Sequence, residues 1–568
     1  MTRSPTACLC GVLAVLSFVV LAAVPARADA GANPAAQPQV KNVIVLIADG
    51  CGAEQYTLAR WFRGEPLTLD EIRVGAVKTY IADSVVADSA PAATAFATGV
   101  RSSAKFISVG PRKKTISVVP TPPEDLCYRP LATVLEGAKL LGRATGIVST
   151  SRSTHATPAA YVSHAASRND ESEIMEQLVH QNVDVVFGGG RDYLFPKSAG
   201  GKRADSKDLS TVLQSRGYRL VRTGKELAEL RAGRVFGLFA AGHMAPEIDR
   251  PATAPDEPTL ETMAAKAIEL LSQNPRGFFL MIEGSQVDFA CHANDPSQLM
   301  SDLLMYDRAV KVALDFARRD GNTLILAMSD HNTGGMSIGS TASNGMYTKM
   351  TVEDLVGPLK NMKRSAPELA KQVGKKPTPE QVKSVVAEYW GMKITGQEAE
   401  KIAAMLVKQP DNPQNAFCDV LGPTHTLIGW TTHGHTGGDV PLFAFGPGRP
   451  VGLIEGPDVA RITAAALGLD LARLNRRLFV DASEALPDAK LTVEQAGPAE
   501  PKVKIDFQGR TAELPVNGNV LVVDGKSEQL EGVVIHAAET GKTYLPLQAI
   551  QRIRGLAAEL PSVASEAR

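Results

Sequence analysis

Net charge is what this chain most clearly lacks. It carries 60 Lys and Arg against 61 Asp and Glu, a formal charge of −1, so the basic surplus expected with a nucleic-acid partner is missing. After residue 24 no second long apolar run follows, which excludes a helical protein that crosses a membrane several times. No internal repeat recurs, so a repeat architecture is excluded as well. Cysteine is sparse. Of six, Cys8 and Cys10 lie in the N-terminal apolar segment, and Cys51, Cys127, Cys291 and Cys418 allow three full pairings that sequence cannot choose between.

What is present is length and a leader pattern. A chain of 568 residues can bury a large core and hold more than one domain. Arg3, the apolar run "ACLCGVLAVLSFVVLAAV" and the small-residue segment "PARADA" read as a secretory signal over residues 1–30, ending at Ala30. A retained membrane anchor is the alternative. The expected location is periplasmic or secreted, with no membrane span once the signal is removed.

Residues 31–40 read as a linker. "NVIVLIADG" is then a continuous apolar run ending in Asp-Gly, the pattern of a strand buried on both faces. Similar runs recur as "VDVVFGGG", "VFGLFA", "GFFLMIEG", "TLILAMSD" and "PLFAFGPG". Amphipathic helical patterns such as "ESEIMEQLVHQN" and "LLMYDRAVKVALDFARR" lie between them. This alternation predicts an α/β fold with a mostly parallel central sheet and helices on both faces. Residues 41–485 form the expected catalytic domain. Within it, 345–420, rich in Lys, Pro and Glu, break the rhythm as an insertion. Residues 486–502 read as a second linker and 503–568 as a small β-rich module.

In such sheets ligands bind beyond the carboxyl ends of the strands. Three runs end there in acids: Asp49, Glu283 and Asp330. In "EGSQVDFACHANDP", Asp288 and His292 are four apart, so one helical turn can aim both at one ion; a surface Asp–His pair is the plain alternative. Asp330 and His331 are adjacent and would diverge on a strand. They can share an ion only if the backbone turns, which the following Asn-Thr-Gly-Gly permits. His433 and His435 precede "TGGDVPLFAFGPG". Only ten histidines exist and four fall in these motifs, a clustering that favours metal binding over chance.

The ordered set "IADG", "VADSAPAAT", "THATPAAYVSHAASR", "IEGSQVDFACH", "SDH" and "THGHTGGDVPLFAFG" resembles the alkaline phosphatases over residues 41–470. The resemblance implies two Zn2+ ions and one Mg2+. Asp288, His292 and His435 would hold the first zinc; Asp49, Asp330 and His331 the second, beside Ser89. Asp49, Thr157 and Glu283 would reach the third ion. His435 is preferred over His433 because "TGG" follows it. His155 stands at the third site where some relatives carry Asp, and Phe289 where some carry a polar residue. The third ion is therefore open between magnesium, zinc and cobalt. Arg168 matches the family's phosphate-binding arginine, and Asp88 is expected to orient it or the serine backbone.

Ser89 is expected at a helix start, where unpaired N–H groups favour anions. Pro91 is compatible with that first turn because it forgoes no intrahelical bond there. The implied activity is hydrolysis of small phosphate monoesters through a phosphoserine, with the ions clamping the attacking and leaving oxygens. The alternatives are a phosphodiesterase or related hydrolase on the same scaffold, or an exported phosphate- or metal-binding protein without catalysis. A homodimer is the family's habit. Cell-surface contact is the expectation for the C-terminal module.

Overall fold

The computed structural model describes residues 40–494 and 501–565; the signal, nearly all of the first linker, and residues 495–500 of the second linker lie outside them. Ten strands form the main sheet: β1 (Asn42–Ala48), β2 (Arg73–Lys78), β3 (Ala144–Arg152), β4 (Val185–Gly189), β5 (Arg219–Val221), β6 (Val235–Leu238), β7 (Phe278–Gly284), β8 (Thr323–Met328), β9 (Val440–Phe445) and β10 (Gly452–Glu455). Their spatial order is β10-β2-β9-β8-β1-β7-β3-β4-β6-β5. Only β9 runs antiparallel to its neighbours. The fold is therefore the expected α/β type with a mostly parallel sheet. The strands β2, β3, β5 and β10 were not among the apolar runs. The end of β3, for example, carries buried Ser149, Thr150 and Ser151, which blunt the apolar signal.

β1 shows why continuous apolar runs mark the centre. Its alternating side chains enter two different cores. Ile44, Leu46 and Ala48 pack with Leu58, Leu299 and Tyr306 on one face. Val43, Val45 and Ile47 pack with Phe96, Leu135 and Phe279 on the other. Both faces are covered, so every position from Val43 to Ala48 is apolar and the next polar residue is Asp49, just past the strand end. The register then lines up the strand ends, with Ile47 opposite both Glu283 and Met328, and Ser149 opposite Glu283.

Between β8 and β9 the chain leaves the sheet and forms five helices, Val352–Lys360, Ala366–Val373, Pro379–Trp390, Gly396–Lys408 and Asn415–His425. The inserted region thus runs past residue 420 to the end of the last helix. The long helix Pro296–Asp320 anchors it. Asp295 caps that helix by accepting from the Ser297 and Gln298 N–H groups, and its second oxygen accepts from Ala366 N–H in the insertion.

The segment expected as the second linker is partly a strand. Lys490–Glu494 pairs antiparallel with Lys502–Phe507 and opens a five-stranded sheet. Its alternation of exposed and half-buried side chains is the pattern of an edge strand, which the surrounding Pro, Ala and Glu obscured. The C-terminal module is also stitched to the main body. Val480 and Asp481 pair with Leu545 and Tyr544, Arg477 makes a bidentate ion pair with Glu531 at 2.8 and 2.6 Å, and buried Gln177 donates to Asn517 at 2.9 Å. Leu478 and Phe479 are fully buried in a core that includes Val533, Ile535 and Tyr544 of the module.

Truncation after residue 490 is therefore expected to lower the melting temperature of the remaining body by several degrees. Phe479→Ala should cost about 3–5 kcal/mol in a urea titration, the usual loss for a buried aromatic. An unchanged melting temperature for the truncated chain would show that the module is a detachable appendage.

Candidate metal and phosphate site

Ser89 is the first residue of a ten-residue helix, Ser89–Thr98, whose side chains are all buried. Alanine dominates it because the helix packs closely on the Gly456–Leu467 and Ala156–Ala159 helices; a larger residue would hold them apart. Gly99, at φ 76°, ends it by donating to Ala95 O. Asp88 occupies the cap position, yet its side chain makes no capping bond. Instead one oxygen accepts from Arg168 Nη1 and the other from Lys105 N–H at 3.0 Å. A plain N-cap would spend the carboxylate on the helix itself; here it holds the arginine.

The strand ends deliver the acids. Asp49 follows β1, Glu283 is the penultimate residue of β7, and the chain bends at Asp330 just beyond β8. That bend lets Asp330 and His331 converge. His435 arrives on a two-residue ribbon, His435–Thr436, which pairs antiparallel with Asn332–Thr333. This pairing stacks the His435 ring on His331 at 3.8 Å between centroids. Gly50, at φ 71°, clears the approach, since a Cβ there would lie 2.5 Å from Asp288 Oδ1.

Three groups of converging ligand atoms result, each within 4.8 Å: Asp288 with His292 and His435, Asp49 with Asp330 and His331, and Asp49 with His155 and Glu283. Ser89 Oγ lies 3.0 Å from His331 Nε2. Arg168 Nη2 lies 2.8 Å from His155 Nε2, so the arginine spans Asp88 and the third group. Thr157 is buried in the short helix that starts after His155. His433, by contrast, points away from the groups and bonds Asp419.

The electrostatics of these groups call for cations. Asp49, Glu283, Asp288 and Asp330 are all buried, and burying unpaired carboxylates is costly. Burial pushes the Asp49 pKa well above the ordinary range, helped by repulsion from Asp330, Asp288 and Glu283. Burial likewise raises Glu283 to about 7. Asp288 goes the other way: burial would raise it, but His292, His331 and His435 around it pull it far down. Burial lowers the pKa values of His331 and, with Arg168 nearby, His155, which keeps both imidazoles in the neutral form that ligates metals.

The hydrogen bonds fit the same reading. Both Asp49 oxygens, Glu283 Oε1, Asp330 Oδ2, His155 Nδ1 and the Thr157 hydroxyl are buried without a hydrogen-bond partner. Such orphans are rare in proteins, and a bound ion would satisfy them. The Nδ1 atoms of His292 and His435 donate to the carbonyls of His433 and Ala87. That leaves their Nε2 atoms facing each other at 3.1 Å, an arrangement a shared cation reconciles.

Phe289, noted in the sequence as a departure, packs edge-on against His155 and His243, at 5.6 and 4.7 Å between ring centroids. Its neighbour His243 carried no recognisable signal in the sequence. His243 comes from the loop after β6 and sits between Phe289 and Arg152. Thr333, whose hydroxyl donates to Asp288 Oδ1 at 2.6 Å, belongs to the Asn-Thr-Gly-Gly turn and was findable there. All four remaining cysteines are free thiols, so none of the three pairings is formed. Among the described residues no helix is long and apolar enough to cross a membrane.

Comparison with known proteins agrees with this geometry. The family model described as alkaline phosphatase matches residues 40–469. Alkaline phosphatase 4 of Bacillus subtilis is 33% identical over 454 residues, covering 76% of this chain and 90% of its own. The crystal structure of Thermus thermophilus alkaline phosphatase superposes with a TM-score of 0.68 at 29% identity, covering 76% of this chain and 92% of that one. A histidine-to-glutamate variant of the alkaline phosphatase of the Antarctic bacterium TAB5, with Mg bound in the M3 site, matches at 25% identity and a TM-score of 0.53, over 76% and 99% of the two chains. With its family match spanning most of the sequence and relatives matched over most of their own length, this chain belongs to the alkaline phosphatase family.

Proposed function

We propose that the chain hydrolyses phosphate monoesters with Ser89 as nucleophile, in the periplasm or outside the cell, passing through a phosphoserine. The observation that carries this reading is the position of Ser89 Oγ, 3.0 Å from His331 Nε2. It lies at the positive end of a buried helix and beside two ligand groups rich in carboxylate and imidazole. A free serine hydroxyl is a poor nucleophile and needs such surroundings.

Zinc at the Asp288–His292–His435 and Asp49–Asp330–His331 groups would supply Lewis acidity for the attacking and leaving oxygens. The chain's own residues do the rest. Arg168 clamps two non-bridging oxygens of the phosphoryl group in a bidentate geometry that lysine lacks. Asp88 holds the guanidinium in place through its ion pair. The N-terminal dipole of the Ser89 helix favours the same anion. In-line attack forms the Ser89 Oγ–P bond as the ester P–O bond breaks, and the departing oxygen leaves as the alcohol. Water then cleaves the Ser89 Oγ–P bond, releasing inorganic phosphate and restoring the hydroxyl.

The third group combines Asp49 and Glu283 with the imidazole of His155. Magnesium favours oxygen donors and an imidazole suits zinc better. The TAB5 variant that holds Mg has a glutamate in place of a histidine. His155→Asp is thus expected to shift this site toward magnesium, read as activation by added Mg2+ and by metal analysis of the dialysed protein.

Ser89→Ala should lose at least three orders of magnitude in kcat on a nitrophenyl phosphate monoester and fail to take up label from radioactive substrate in an acid quench. Retained labelling, or faster turnover of the matching diester, would sink the assignment. Metal removal gives an independent test. The Glu283 pKa of about 7 lies above its ordinary value of 4.5, so the chelated fold binds the extra proton between those values. Glu283 should therefore make the chelated fold lose stability as pH rises from about 4.5 to about 7, a contribution that Glu283→Gln removes. Asp49→Asn should raise the melting temperature of the chelated protein at pH 8, because it removes one of the mutually repelling buried carboxylates.

A further inference from the structure

The last helix of the insertion, Asn415–His425, reaches the first ligand group through one side chain. Asp419 Oδ1 accepts from His433 Nε2 at 3.0 Å. His433 faces acceptors at both nitrogens, so it is the protonated ring that also donates from Nδ1 to the carbonyl of His292 at 2.8 Å, while His292 Nδ1 donates back to the carbonyl of His433. The two histidines therefore clasp each other's backbones, and the clasp sets the His292 ring with Nε2 turned toward Asp288 and His435, at 3.3 and 3.1 Å. Among the described residues Asp419 has no other hydrogen-bonded partner for its carboxylate, so that group is committed to His433.

We propose that Asp419 is a positioning residue: through His433 it orients His292 and so sets how firmly the first group holds its metal ion. This rests on the reading of Asp288, His292 and His435 as metal ligands. The physical ground is that an imidazole ligand binds well only when its remote nitrogen is tied, and a partner one bond further out restrains that tie. His433 alone is a half-exposed ring in a loop rich in Thr and Gly. Asp419 ties it to a helix whose inner side, Phe417, Cys418 and Leu421, is buried. The insertion thereby acts on the first group without contributing a ligand to it.

The same helix offers an internal control. His425 Nε2 bonds Glu398 Oε1 at 3.0 Å, a similar imidazole–carboxylate link that leads to another insertion helix and not to the ligand groups.

The test is zinc release from the zinc-loaded full chain into a chromogenic chelator, with Asp419→Ala, Asp419→Asn, His425→Gln and His292→Ala compared with the parent. Asp419→Ala is expected to weaken retention of the ion lost in His292→Ala by about 10–100-fold, the usual range for outer partners of metal ligands. Asp419→Asn, which keeps an acceptor, should fall between. His425→Gln should match the parent, and the melting temperature of chelated Asp419→Ala should equal that of the chelated parent. Parent-like release from Asp419→Ala, while His292→Ala loses an ion, overturns the proposal and leaves the metal reading intact. Equal weakening by His425→Gln also overturns it, since the effect would then be general loosening of the insertion. If His292→Ala loses no ion, both readings fail.

Discussion

Four buried carboxylates, three at the ends of neighbouring strands and Asp288 on the helix that follows β7, are the constraint around which this protein is organised. Asp49, Glu283, Asp288 and Asp330 stand close together, and Asp49 feels the other three. Protein donors compensate them only in part: histidines surround Asp288, Ser151 reaches Glu283 and Arg168 is paired with Asp88, while both Asp49 oxygens, Glu283 Oε1 and Asp330 Oδ2 have no hydrogen-bond partner. Bound cations would balance the remainder. The three neighbouring ligand groups, two of which share Asp49, are the geometric expression of that need.

The scaffold explains how so much charge can be placed together. A parallel sheet covered on both faces forces apolar residues along β1, β7 and β8 and permits polar ones only where the strands stop. The shared register then puts those stops side by side. The close packing of the Ser89 helix, made possible by its alanines, carries the hydroxyl to the same edge. Rigidity comes from the surroundings: Thr333 fixes Asp288, Ser151 fixes Glu283 at 3.2 Å, and the Ala87 carbonyl fixes His435. A site that must neutralise charge in a transition state gains from groups that need not move to do so.

The insertion and the C-terminal module illustrate two ways of adding to such a scaffold. The insertion enters at a loop between β8 and β9 and is locked by buried carboxylates: Asp295 at Ala366, and Asp249 at Ser365. Burial raises Asp249 to about 6 even though Ser365 donates to it twice. The module enters at the chain end and is locked by strand pairing at Val480–Asp481 and by a shared core around Phe479. Both are continuous with the main body.

Much of this was readable in the residues themselves. The apolar runs identified the central strands because double burial admits nothing else, and the i,i+4 spacing of Asp288 and His292 already placed both on one side of a helical turn. The sequence alone thus determined the α/β class and the acids at the strand ends, since these depend on local pattern. The resemblance already favoured His435 for the first group, but only the tertiary structure set His433 on Asp419, because residues two apart on an extended segment share a side until a partner strand sets their environment. It also decided that 490–494 is a strand and that His243 and Asp419 belong to the neighbourhood of the site. Those outcomes depend on which distant segments meet, and no local run of residues encodes that meeting.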